Sequence, residues 1–524
     1  MVISFAGSTG AGKDTGTTVP TQYKAFWLTE NGTHHLTADP PYSGLSSADV
    51  VVFVTNPTET YKVPNGIKFG YTDFTKNDIN LLDFSDVTDG YNLFIHTTIK
   101  ELPRTLDLKK MTTIDDIFWY ATFKFTELDL QDSVERLGST LDYTTSPRKF
   151  TIKGTQSIKN MDSSFYMAKG NRLYFPDGTP NANRIGNIFQ YAEFREVRGL
   201  EFTKDTGTTI TINNSWNDLS YIQSLIIQGS LNCTTFDLSK LKLTNESLVS
   251  ILTAASKSSS GTEKAKTIKL HSDNYIYGDN AENLIAQCTA KGWTITNLNV
   301  ITEPVQVKWL YGEQLNAFDE NNQNIYINKT GVVTDFPTNA YSVGFGQNSA
   351  LTCVEKFDIH VKSMATLFYE ASNLWDVCEI DMDGVEKANA MFKTTPYLID
   401  VRLKNTGTVK NMNGMFNNCK AETIKTIDMT SCTQANSMFD NATLLTDLEM
   451  EGSINISLDL KYSPLNSESV KSVITAASRT TGTAAKTLTF KTGTTVADTD
   501  GTFAESVSQC TAKGWTITNL NLTN

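Results

Sequence analysis

The chain is poor in charge: only 19% of its 524 residues are Asp, Glu, Lys or Arg, and the balance is acidic, with a net charge of −12 and a pI near 5.1. No basic cluster interrupts that acidity. A surface of this kind excludes nucleic-acid phosphates and anionic lipid headgroups as partners, because both are gripped by patches of Lys and Arg. Long apolar runs are also missing, and none approaches the roughly 18 residues needed to span a bilayer. The first residues, Met1-Val2-Ile3-Ser4-Phe5-Ala6-Gly7, carry no positive segment and too short an apolar stretch for a secretory leader, and no lipobox-like Cys follows. Paired cysteines are absent. Cys233, Cys288, Cys353, Cys378, Cys419, Cys432 and Cys510 show no CxxC spacing, so they are read as small buried hydrophobes rather than zinc ligands or a disulfide framework. His34, His35, His96, His271 and His360 have no ligand spacing either. No heptad pattern points to a coiled coil.

What the chain does have is Thr, Ser and Asn in abundance, as in β-rich extracellular or virion proteins, and a hydrophobic phrase that returns every 23 or 24 residues. It reads Val361–Met364–Leu367–Phe368, Val385–Ala388–Met391–Phe392, Val409–Met412–Met415–Phe416 and Cys432–Ala435–Met438–Phe439. Such a period predicts a solenoid, in which each small unit can bury its apolar face only against its neighbours. The pieces Ile380-Asp381-Met382, Val401-Arg402-Leu403, Ile427-Asp428-Met429 and Leu448-Glu449-Met450 are predicted to form its parallel ladder.

An earlier, more degenerate set runs Ile158–Met161–Ser164–Phe165, Ala182–Ile185–Ile188–Phe189 and Ile212–Ser215–Trp216. Both sets end alike. Residues 245–257 (NESLVSILTAASK) match residues 467–479 (SESVKSVITAASR), and Gln287 to Asn299 is repeated letter for letter from Gln509 to Asn521. The offset is constant, so the block has been duplicated in tandem. Each ending reads as helix, strand, helix, strand, with Thr244 or Asn245 as the first cap and Gly292 as a stop. Terminal repeats must differ from internal ones, so each ending is expected to cap its array.

The Met-Phe phrase followed by Ile-Asp-Met, together with the Lys-Gly-Trp-Thr-Ile ending, resembles the BspA-like class of leucine-rich repeats over roughly residues 150–300 and 355–524. That resemblance implies a scaffold without shared catalytic residues, of the kind found in surface adhesins of gut and oral anaerobes and in structural proteins of their phages and prophages. The expected architecture is mixed and β-rich, with two duplicated leucine-rich-repeat-like solenoid blocks, each closed by an α/β cap. The domain organisation expected is a Gly/Thr arm at 1–21, a β-rich anchoring domain at 22–149, and the first block with its cap at 150–300. A β-insert or the start of the second block follows at 301–354, and the second block with its cap at 355–524.

One motif invites a different reading. Gly7-Ser8-Thr9-Gly10-Ala11-Gly12-Lys13-Asp14-Thr15 follows a strand-like run and resembles the phosphate loop of nucleotide kinases. That loop works by wrapping phosphates with backbone N–H groups at a helix N-terminus. Here Gly16-Thr17-Thr18-Val19-Pro20 stands where the helix belongs and opposes one. The segment is therefore read as an arm. Asp83, Asp86 and Asp89 with Gly90 lack the spacing of a helix-loop-helix calcium site and are read as a solvated acidic loop.

The expectation is a non-enzymatic phage virion surface protein, a head fibre or a tail-associated fibre. Its N-terminal region would contact other virion proteins, and its repeats would bind host-surface glycans or proteins. The missing leader argues for the virion surface over a bacterial adhesin on the cell surface. Fibres are commonly oligomeric, so a homo-oligomer, a trimer, is expected. A third reading, a glycan-degrading spike, needs two carboxylates about 5–10 Å apart. Asp381, Asp383, Asp428 and Asp447 are its candidates, but strand-borne acids are read as solvent-facing partners of the apolar ladder. No catalytic residue, cofactor or metal is expected.

Overall fold

The structure is a computed structural model. It describes residues 25–29, 34–37, 48–53, 61–63, 69, 74 and 79–523, apart from 112–113, 186–187, 204–208, 213–221, 259–264, 347 and 499–500. The arm at 1–21 with its phosphate-loop-like motif, and Ser215-Trp216, lie outside the described residues. The fold is β-rich, with several sheets and four α-helices among the described residues, and none of the sheets closes on itself. Two compact units divide the chain, Met1–Val300 and Ile301–Asn524.

The first unit contains an antiparallel three-stranded sheet, with Ala25–Thr29 between His34–Thr37 and Ala48–Phe53. Parallel pairs follow it in this unit. Tyr61–Lys62 pairs with Leu82–Asp83, and Thr98–Ile99 with Thr122–Phe123. Glu127–Asp129, Lys149–Lys153, Arg172–Tyr174, Glu196–Phe202 and Ser224–Leu231 make a five-stranded parallel sheet. Single bridges join Thr122 to Thr145 to Lys169 and Arg136 to Asn160 to Arg184, steps of 23 or 24 residues. Parallel pairing at that step means that each repeat lies on the next in register, so equivalent side chains share one column.

The columns show how far the repeats reach. Phe69, Phe94 and Phe118 stack at 5.9 and 5.7 Å, and Phe165 stacks on Phe189 at 5.3 Å, all buried. Leu141, also buried, stands 23 residues after Phe118 and 24 before Phe165. Parallel pairing is thus already present at Tyr61–Lys62 and at Thr98–Ile99, ahead of residue 150, where the first repeat block was expected to begin. The early repeats escape notice in the sequence because Ile and Leu replace Met in the phrase, and Leu141 replaces the phenylalanine.

In the second unit Val307–Leu310 lies antiparallel between Val332–Val333 and Cys353–Phe357. Gln314–Phe318 lies antiparallel between Asn324–Asn328 and Ser342–Gly346. Cys353–Phe357 then pairs in parallel with Asp376–Val377, so one strand belongs both to the 301–354 segment and to the repeats. Ile380–Asp381, Asp400–Lys404, Thr423–Asp428 and Asp447–Glu451 form the parallel ladder read from the sequence. The phrase residues from Val361 to Phe439 are buried, and Phe345, Phe368, Phe392, Phe416 and Phe439 make one column with centroids 5.2–5.9 Å apart.

The duplicated endings fold alike. Helix α1, Asn245–Ser256, is capped by Thr244, whose Oγ1 accepts from Ser247 N–H at 3.3 Å, and α3, Ser467–Ser478, by Asn466 in the same way at 2.8 Å. Helices α2, Ala281–Ala290, and α4, Thr502–Ala512, each end before a glycine at positive φ, Gly292 and Gly514. The strands Trp293–Ile301 and Trp515–Thr523 follow, at the edges of their sheets. The two tryptophans are buried, and their Nε1–H groups donate to Ala255 O and Thr480 Oγ1 respectively.

Candidate functional site

The turns of the repeats share one backbone device. Two residues four apart take positive φ: Asn92 and His96, Asp116 and Tyr120, Ser139 and Tyr143, Ser163 and Met167 in the first unit, and Thr366 and Glu370, Ala390 and Thr394, Gly414 and Asn418, Ser437 and Asn441 in the second. Tyr191 continues the second position at φ 60°. The equivalence is fixed by hydrogen bonds. His96, Tyr120, Tyr143 and Met167 donate their backbone N–H to the next repeat at Trp119, Asp142, Tyr166 and Gln190, just as Glu370, Thr394 and Asn418 donate to Lys393, Asn417 and Asp440.

The side chains at this position divide by unit. In the second unit they are polar, and Asn441 Nδ2 donates to Asn418 Oδ1 at 2.8 Å. In the first they are His96, Tyr120, Tyr143, Met167 and Tyr191, and with Tyr166, which precedes Met167, the rings form an aromatic row. His96 stacks on Tyr120 at 4.6 Å and 17°, and Tyr120 on Tyr143 at 4.3 Å and 19°. Tyr143 meets Tyr166 at 65° and Tyr166 meets Tyr191 at 81°, so the later rings turn out of the stack. Trp119 lies beside the row, 5.1 Å from Tyr120 and inclined at 63°. These rings are half-buried, except Tyr120, which is 39% exposed. Burial, and then the neighbouring Tyr120 and Tyr166 phenols, push the titration of Tyr143 up.

A carboxyl lies under the row. Asp142 is buried, and burial raises its pKa to about 7, against the opposing donation of Tyr166 N–H and Ser139 and with the help of neighbouring Asp116. Asp116 is raised as well, by burial and then by Asp115. Burial lowers His96, which keeps its imidazole neutral near neutral pH.

The residues weighed in the sequence lie elsewhere, His96 excepted. The seven cysteines are free, with Cys378 half-buried and the others buried. Burial pushes Cys288 and Cys510 up to about 11 and Cys378 up to about 12. Asp83 and Asp89 accept from Ser85 N–H and Tyr91 N–H, the work of turn residues. Asp381 accepts from Asp383 N–H and Asn405 Nδ2, Asp428 from Thr430, and Asp447 is 2.8 Å from Lys425 Nζ. His271 Nδ1 accepts from Asp273 N–H. Among the described residues no group of three or more His, Cys, Asp or Glu side chains is placed to hold a metal ion, and no helix is long and apolar enough to cross a membrane. The aromatic row escaped the sequence reading, although the 23- and 24-residue steps from His96 to Tyr120 to Tyr143 to Tyr166 were there to be found.

A family model described as "Mycoplasma protein of unknown function, DUF285" matches residues 340–451. No curated protein and no solved structure matches the chain.

Proposed function

We propose that the repeats of both units are solenoids of the BspA-like leucine-rich-repeat class, closed by their helix-strand-helix-strand endings, and that they serve as a display surface on a phage virion, as a head fibre or tail-associated fibre. Recognition, not catalysis, is the work assigned to them. One observation carries the reading: the buried columns stay apolar from repeat to repeat, while the turn position above them carries His96, Tyr120, Tyr143, Met167 and Tyr191 in the first unit and polar residues in the second. A scaffold that holds its core constant and varies its surface is what a recognition array requires. The matched family model supports the reading by falling on the Met-Phe repeats, where the resemblance to BspA-like proteins is strongest.

The N-terminal region attaches the protein to other virion proteins, the repeats face host-surface glycans or proteins, and the assembly is a homo-oligomer, a trimer. Immunogold imaging with antibody raised against residues 355–524 tests the placement. Labelled particles are the expected result. Label confined to the bacterial envelope would make the protein a cell-surface adhesin, and shortening of a bound glycan by the purified protein would make it a degrading spike.

A further inference from the structure

We propose that the aromatic row of the first unit, His96, Trp119, Tyr120, Tyr143, Tyr166 and Tyr191, is a binding track for an uncharged glycan chain laid along successive repeats. The inference rests on the display reading and names the ligand class of one surface within it.

Neither the backbone nor the core calls for these rings. At the left-handed turn position the second unit uses Glu370, Thr394, Asn418 and Asn441 on the same hydrogen-bonded frame. Asn is several-fold enriched at positive φ, whereas a bulky side chain there is uncommon. The core has its own aromatic column in Phe94, Phe118, Phe165 and Phe189, which is buried while the row is half-exposed. Tyr120, Tyr143 and Tyr191 are bulky rings at a left-handed position that the core does not use, with His96, Trp119 and Tyr166 beside them, and such a row points to a ligand.

The chemistry of the row selects the ligand. It contains no Lys or Arg, so a sulfated or uronic chain and a single-stranded nucleic acid, whose binding relies on basic side chains around stacked aromatics, both lack their counter-charge. The carboxyl of Asp142, which accepts from Tyr166 N–H, and that of neighbouring Asp116 disfavour anions further. What remains is a narrow line of ring edges and hydrogen-bonding phenols, with Trp119 and Tyr191 inclined to their neighbours. Sugars present hydroxyls and apolar C–H patches along one chain, and this combination matches Tyr and Trp, which join an apolar body to a polar tip. A protein partner would ask for a broad apolar centre with a polar rim, not a line one or two side chains wide. Repeats stack about 4.8 Å apart, so five of them make a track of roughly 20 Å, longer than a disaccharide.

The test is calorimetric titration of the full chain with neutral hexasaccharides of the cello, malto, xylo, manno and chito series and with the matching disaccharides. At least one hexasaccharide binds, about tenfold or more tighter than its disaccharide, and the double variant Tyr120→Asn with Tyr143→Asn loses about tenfold or more. These replacements install the residue of the second unit's turns, so thermal unfolding is retained or raised. If the double variant fails to fold, Tyr120→Phe with Tyr143→Phe removes only the hydroxyls and must still weaken binding. The proposal is overturned if no hexasaccharide binds, if the variants bind unchanged, or if only sulfated chains bind and do so in a salt-dependent way. Should no hexasaccharide bind while the purified protein still coats bacterial cells, the display reading stands and the glycan track alone falls.

Discussion

Replacing Phe416 by Ala tests the stacked core most directly. Its side chain is fully buried, and its ring lies 5.6 Å from that of Phe392 at 7° and 5.4 Å from that of Phe439 at 11°. Backbone hydrogen bonds pin the position on both sides, from Phe416 N–H to Met438 O and from Cys419 N–H to Phe416 O. The surroundings therefore have little freedom to collapse into the space. Truncating a buried aromatic to Ala removes roughly 3–5 kcal/mol through lost transfer energy and the cavity left behind. Two stacked neighbours, each contributing about 0.5–1.5 kcal/mol beyond burial, place Phe416 at the upper end. For a unit of more than 150 residues each kcal/mol shifts the midpoint by about 2–4 °C, so scanning calorimetry should show a fall of about 8–20 °C. Phe416→Leu, which keeps most of the volume, should lose far less. An unchanged transition in Phe416→Ala, accompanied by lost binding to cells, would show that the ring contacts a ligand and would refute the reasoning.

Three further outcomes follow from buried polar and ionisable groups. The folded pKa of Asp142 is about 7 and its unfolded value about 3.9, so the native state holds the extra proton between them; stability from this group therefore falls as pH rises from about 4 to about 7 and is flat above. Asp142→Asn should raise stability at pH 8 by about 1–3 kcal/mol, allowing for screening, and by little at pH 4, as followed by chemical denaturation; a less stable variant at pH 8 would contradict this. Glu196, almost wholly buried, pairs with Arg172 Nε at 2.9 Å and with Arg198, so Glu196→Ala leaves Arg172 buried without its carboxylate partner and should lose about 3–5 kcal/mol in urea denaturation; a loss below about 1 kcal/mol would mean the pair is dispensable. Cys288 and Cys510 should resist an aromatic disulfide reagent at pH 8 in the native protein and react on unfolding, and rapid native labelling would contradict their burial.

The 23- and 24-residue step, the tandem duplication, the buried phenylalanine column of the second unit and the paired endings were all legible in the sequence. Each depends on residues that must be apolar, or must cap or stop a helix, wherever they occur, and such demands leave a periodic mark. The mark fades where packing accepts substitutes. Leu141 fills a phenylalanine's place, and Ile114 and Ile117 stand where methionines stand later, so the earliest repeats became visible only when parallel pairing placed Thr98 beside Thr122 and Thr145 beside Lys169. The aromatic row was hidden for another reason. No local pattern marks His96, Tyr120 and Tyr143 as turn residues at positive φ, because that conformation goes with hydrogen bonds to the following repeat. The sequence determined the period and the residues that are buried; the stacking of one repeat on the next decided which of the remaining side chains line up at the surface.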